Sequence, residues 1–240
     1  MTVCKNCGNH FEGNYCNFCG QKADVKRFSW SHMTSVFMTG FFGEKTGLVN
    51  TIRQLFFHPG KMLRRYIEGQ RVAHINPFSF LTLICLFGGF LYPHSGMVEH
   101  VGANIFASPE TIRFTNEHYL YRMLFTIPVC TVLCWGVYRN YKYNLSECFI
   151  INTFIMSQTI LIMVTWMLAL CFITLKDRDF EIVLLCVFLL NIIYPAIALA
   201  NVFNSGNRAI RWIKAITVVL ASFILSFVVI NGLTRLFTFL

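Results

Sequence analysis

The sequence predicts an all-α polytopic membrane protein of about five transmembrane helices, with a small N-terminal zinc ribbon and amphipathic interfacial helices between ribbon and spans. Three observations carry this. Two CxxCG knuckles, Cys4-Lys-Asn-Cys7-Gly8 and Cys16-Asn-Phe-Cys19-Gly20, open the chain. The 240 residues are 55% hydrophobic and only 13% charged, outside the range of soluble globular domains. Five apolar runs fill the chain from residue 77 onward.

Residues 1–22 read as the ribbon. Four thiolates in paired CxxC spacing suit one tetrahedral Zn2+ per chain, held by Cys4, Cys7, Cys16 and Cys19. The glycine after each pair lets the backbone turn tightly around the sulfurs. A unit this small has almost no core, so metal binding supplies its folding free energy, on the order of 10 kcal/mol or more. His10 lies in the spacer, but four cysteines already fill the shell, and it is expected to face solvent. Zinc thiolates require a reducing compartment, which places the N-terminus in the cytoplasm. The remaining six cysteines (Cys85, Cys130, Cys134, Cys148, Cys171 and Cys186) lie in or beside apolar runs, where cysteine packs as a small hydrophobe.

Residues 23–76 read as a basic linker followed by amphipathic helices. Phe28, Trp30, Met33, Phe37 and Phe41 recur at near-helical spacing, as do Leu48, Ile52, Leu55 and Phe56. A third helix begins at Pro59, a residue favoured at helix starts, and stops at Gly69. None is long or apolar enough to span. They are expected to lie in the cytoplasmic interface, with Lys61, Arg64, Arg65 and Arg71 at phosphate level; a helical bundle packed on the membrane domain is the alternative.

Residues 77–240 form the membrane domain, with spans at about 77–92, 119–138, 149–175, 182–203 and 215–234. The first is short at 16 residues and could be re-entrant instead. With the ribbon inside and five spans, the inward pieces 1–76, 139–148 and 204–214 hold 10, 2 and 3 of the 20 Lys/Arg. Positive-inside bias and the reducing demand of zinc therefore agree. The reading is a multi-pass membrane protein, N-terminus cytoplasmic and C-terminus extracytoplasmic. No charged-apolar-cleavage pattern opens the sequence, so no signal peptide is expected.

The net charge of +9 is spread beside apolar segments and forms no single stripe. It points to anionic lipid head groups as partners and excludes nucleic acid. The loop 93–118 carries His94, Glu99, His100, Glu110, Glu117 and His118, whose spacing matches no strong metal motif. Asn152, Gln158, Asn191, Asn201 and Asn231 lie within the spans, where buried amides cross-link helices or line a substrate path. No nucleotide-binding glycine pattern, HExxH or nucleophile elbow is present, and no catalytic residue is assigned. Arg64, Arg65, Glu68, Arg71 and His74 could act on a phosphate ester, but an Arg64–Glu68 pair one helical turn apart, with the rest touching lipid, explains them more simply.

The run Pro59-Gly-Lys-Met-Leu-Arg-Arg-Tyr-Ile-Glu-Gly-Gln-Arg71, followed by Asn76-Pro-Phe-Ser-Phe-Leu81, resembles a family of uncharacterised bacterial membrane proteins. Its members join an N-terminal CxxCG zinc ribbon to a PGK…YI.G.R…PF.FL segment and several spans. The resemblance covers about the first 90 residues and implies Cys4, Cys7, Cys16 and Cys19 as ligands. It marks Pro59, Gly60, Lys61, Tyr66, Ile67, Gly69, Arg71, Pro77 and Phe78 as motif positions; it implies a place in the bacterial inner membrane and implies no reaction. The leading expectation is a non-enzymatic module whose cytoplasmic ribbon binds a protein partner. A transporter or lipid-handling protein comes second and a lipid-modifying enzyme third.

Overall fold

The computed structural model describes residues 1–42, 47–91, 119–172, 177–204 and 206–238. Among the described residues, two short strands, β1 (Thr2–Val3) and β2 (His10–Phe11), precede eight helices: α1 (Trp30–Phe42), α2 (Leu48–Phe57), α3 (Pro59–Glu68), α4 (Pro77–Leu91), α5 (Tyr119–Val137), α6 (Leu145–Phe172), α7 (Asp177–Val202) and α8 (Arg208–Thr238). A 3-10 turn, Arg139–Tyr141, links α5 to α6. The histidine and glutamate loop 93–118 lies outside the described residues.

Helices α4 to α8 form the apolar bundle. α6 is its centre: it packs on α4, α5 and α7, while α8 closes the far side against α5 and α7. Ile150, Ile151, Phe154 and Ile160 of α6 are fully buried there. Stretches of α6 (Leu145–Ala169), α7 (Leu185–Val202) and α8 (Arg208–Val229) are long and apolar enough to cross a membrane. α4 and the described apolar part of α5, Phe125–Val137, are shorter. At 15 residues α4 reaches about 22 Å, less than the roughly 30 Å of bilayer hydrocarbon.

Several helices outrun the apolar runs that mark them. α6 starts at Leu145, four residues ahead of its apolar run, because Asn144 and Glu147 cap its first turn: Glu147 N–H donates to Asn144 Oδ1 at 2.8 Å and Asn144 N–H to Glu147 Oε2 at 2.9 Å. α8 starts at Arg208, capped by Asn207, whose Oδ1 accepts from Ala209 N–H at 2.8 Å. Its first turns therefore carry Arg208, Arg211 and Lys214 as helix rather than loop.

The described parts of the segments 1–76, 138–144 and 203–207 gather at one end of the bundle. Asn144 Nδ2 donates to Phe28 O at 2.8 Å, and Phe203, fully buried, stacks on Tyr138 with centroids 3.9 Å apart. Asn76 fixes the entry to α4, taking Phe78 N–H on its Oδ1 at 2.9 Å and donating to Val36 O of α1 at 2.8 Å.

Candidate metal centre and its platform

The first 22 residues fold as two similar half-turns. Thr2 pairs with Phe11 and Val3 with His10, and a bridge between Tyr15 and Lys22 closes the second half. Gly8 N–H donates to Cys4 O and Gly20 N–H to Cys16 O, both at 2.9 Å. The two glycines hold φ of 77° and 75°, which side-chain-bearing residues rarely adopt. Asn9 Nδ2 ties the halves together by donating to Asn17 Oδ1 at 3.0 Å.

The sulfurs of Cys4, Cys7, Cys16 and Cys19 all lie within 4.8 Å of one another. Cys4 and Cys19 are 3.5 Å apart, Cys7 and Cys16 3.6 Å. A tetrahedron with metal–sulfur bonds of about 2.3 Å has edges of about 3.8 Å, so the cage can hold a metal ion. Burial pushes the Cys16 thiol up, but the amides of Cys19 and Phe18 and the thiols of Cys7 and Cys4 outweigh it and bring it down to about 6. Cys7 moves the other way: the Asn9 amide lowers it, but burial and the thiols of Cys19, Cys16 and Cys4 push it up, as expected of thiols that share protons in one cluster. His10 is exposed on β2 and stands outside the cage.

The cage sits on a platform built by α2, α3 and the turn that follows. Pro59 starts α3 at its first position, and Gly69 ends it in the left-handed region, with Gly69 N–H on Arg65 O at 3.1 Å and Gln70 N–H on Arg65 O at 2.9 Å. The ribbon rests on this end: a Cβ on Gly69 would come within 3.1 Å of the Lys5 side chain and 3.2 Å of Val25. Arg71 N–H also reaches Gln21 Oε1 at 3.4 Å.

The apolar face of α3, with Met62, Leu63 and Tyr66, is buried against α6 and α7. Tyr66 lies at the hub, edge-on to Phe154 at 4.9 Å and stacked with Phe28 at 6.0 Å. The Arg71 guanidinium covers the Phe28 ring at 3.8 Å and donates to Lys26 O at 3.0 Å. Arg64 departs from the expected pairing with Glu68. Its Nη1 donates to Asn201 O and to Val202 O (3.2 Å for the latter), the open carbonyls at the C-terminus of α7, where a cation is favoured. His74 is buried beside Thr51, with Nδ1 3.4 Å from Oγ1. Lys61 and Arg65 are exposed on the outer face of α3. Val49, Phe56 and Phe57 of α2 are also exposed. Pro77 and Phe78 are buried at the base of α4.

One connection left no local mark in the sequence. Arg27, in the basic linker, bridges Glu147 with both arms, Nε to Oε1 at 2.5 Å and Nη2 to Oε2 at 2.8 Å, and also donates to Lys142 O. Only 2% of the Glu147 side chain is accessible, so its charge depends on this partner. The Glu147 carboxylate in turn holds the Arg27 guanidinium above its ordinary value. Arg27→Ala is expected to cost about 3 kcal/mol, the lower end for stranding a buried charge, because the outer side of Arg27 is solvated. Chemical denaturation in detergent reads this. A variant as stable as the parent would show that Glu147 finds water or another donor.

Among the buried polar groups of the bundle, Asn152 Nδ2 donates to Cys148 O at 2.9 Å and Asn152 Oδ1 accepts from Cys130 Sγ at 3.3 Å. Asn191, only half-buried, donates from Nδ2 to Val187 O of its own helix at 2.7 Å. Gln158, 1% exposed, has an Oε1 with no hydrogen-bond partner among the described residues.

A family profile described as "Protein of unknown function (DUF3667)" matches residues 46–88, which take in α2, α3, the turn after them and most of α4. The matched stretch contains the motif from Pro59 to Leu81. The chain matches no curated protein and no solved structure.

Proposed function

We propose that this is a five-span protein of the bacterial inner membrane whose cytoplasmic ribbon, closed by one structural Zn2+ on Cys4, Cys7, Cys16 and Cys19, presents a surface to a protein partner. Phe18 carries this reading. It stands between two ligands of the cage and is 80% exposed, with Tyr15 nearby in sequence at 62%. Four thiolates leave a zinc ion no open position for chemistry, so the ribbon acts through its surface, and an aromatic held rigidly by a metal knuckle is a suitable anchor for a pocket. Exposed Lys61 and Arg65, with the apolar edge Val49, Phe56 and Phe57, meet anionic lipid head groups at the interface. Nucleic acid is not a partner in this reading.

A photo-cross-linking phenylalanine analogue placed at position 18 of the full chain tests it in membranes. A single protein adduct of fixed mass is expected, absent when Cys16 and Cys19 are both serine and the knuckle no longer holds its shape. Adducts to lipid alone, or a spread of products indifferent to the cysteines, would end the partner reading.

The second reading, a transporter or lipid-handling protein, draws on Gln158. An amide oxygen without a partner in an apolar bundle costs about 1–3 kcal/mol, a cost a bound polar group would remove. A lipid-modifying enzyme is third, since Arg64, Arg71 and His74 each have structural partners.

A further inference from the structure

A cavity of about 330 Å³ opens where the first knuckle, the basic linker, the end of α3 and the turn before α6 meet. Lys5, Lys26, Arg27 and Lys142 line it, facing Glu68 and Glu147. Arg27 and Glu147 neutralise each other through their two-armed bridge. Three ammonium groups then remain against the single carboxylate of Glu68. Lys5 is held in place by donating to Val25 O at 3.2 Å, with two further N–H groups left over. Among the described residues the Lys26 ammonium has only an exposed contact to Asp24 at 3.8 Å.

The backbone at this place is unusual. Lys142 has φ of 61°, and among the described residues it alone has a positive φ without being glycine. Its carbonyl is fixed by Arg27, so the linker enforces the conformation. Strain of this kind persists where surrounding structure imposes it and clusters at binding sites. Tyr141 and Tyr143 form an aromatic wall beside it, both rings packed edge-on against Phe203 at 5.3 Å.

We propose that this cavity binds a phosphate-bearing anion of head-group size, with Lys26 and Lys142 as its charge partners. Ammonium groups bind phosphate as compact point charges, and the volume exceeds what a bare phosphate fills, leaving room for an organic group against the tyrosines. The phosphate arrives either on an anionic lipid or on a soluble ester. The site stands independently of any partner at Phe18.

The test measures thermal unfolding of the full chain in non-ionic detergent. The probes are dihexanoyl phosphatidic acid against dihexanoyl phosphatidylcholine, and inorganic phosphate against chloride at equal ionic strength. Phosphatidic acid is expected to raise the midpoint, and the Lys26→Gln/Lys142→Gln variant to bind it about tenfold more weakly or worse while unfolding like the parent without ligand. Should that variant unfold early by itself, Lys142→Gly relieves the strained φ, removes one charge and should still weaken binding. A response to inorganic phosphate as well assigns recognition to the phosphate alone; a response to phosphatidic acid only assigns it to a lipid head group. No rise beyond the phosphatidylcholine and chloride controls, or an equal rise in the variants, overturns the proposal.

Discussion

Changing Cys16 and Cys19 together to serine is expected to empty the ribbon of metal. Two ligands cannot complete a tetrahedral shell, and the ribbon has little else to hold it: its buried core is Cys4, Phe11 and Cys16, two of which are ligands. Zinc in units of this size contributes on the order of 10 kcal/mol, more than any contact the 22 residues make among themselves. Elemental analysis of the purified protein should fall from one zinc per chain to near none. The helical signal should persist, because α4 to α8 have their own core. The contacts of Lys5 and Gln21 with the end of α3 would be lost with the knuckle, opening that end to proteolysis. Undiminished zinc would move the metal to another site, such as the histidines of the loop 93–118.

Gly60→Val is expected to be the most damaging single change in the helical part, at about 3 kcal/mol or more. A Cβ at Gly60 would lie 2.3 Å from the carbonyl carbon of Asn201 and 2.4 Å from its oxygen, distances that real atoms do not reach. The obstacle is backbone, which cannot rotate away as a side-chain tip can. α3 must therefore lift from the end of α7. That movement also pulls Arg64 from the α7 carbonyls and Tyr194 OH from Leu55 O, now 3.2 Å apart. Gly136→Ala is the control, since no atom of the described residues lies within 4 Å of its Cβ position, and it should be tolerated. Equal denaturation midpoints for Gly60→Val and the parent would mean that α3 and α7 are not in this contact.

How much of this was legible in the chain differs from element to element. The cage was, because ligand type and spacing fix a metal site almost without reference to the rest of the fold. α2 and α3 were as well, since Leu48, Ile52 and Leu55 keep one helical face and Pro59 and Gly69 bracket the next helix. What buries that face was not. Periodicity shows that a helix has an apolar side, and lipid or protein can cover it equally well; here α6 and α7 cover that of α3. Arginines read as phosphate contacts followed the same division. Lys61 and Arg65 point away from the bundle, whereas Arg64 and Arg71 are spent on carbonyls and a phenylalanine ring. Their partners lie far along the chain, as Glu147 does from Arg27, and no local pattern encodes such a meeting. The capping pair Asn144 and Glu147 was written locally, but it precedes the apolar run by several residues and so fell outside a span defined by hydropathy.

The described parts of three segments, 1–76, 138–144 and 203–207, lie at one end of the bundle; in the proposed topology that end faces the cytoplasm, five crossings from the C-terminus. Paired reporter fusions test this most directly, one after Gly206 and one after Leu240, using a reporter active only outside the cytoplasm. In the proposed topology no signal is expected after Gly206 and a strong signal after Leu240. Signal after Gly206 with none after Leu240 would contradict it, leaving α4 as a helix that does not cross and the ribbon on the other side from the turn it packs against.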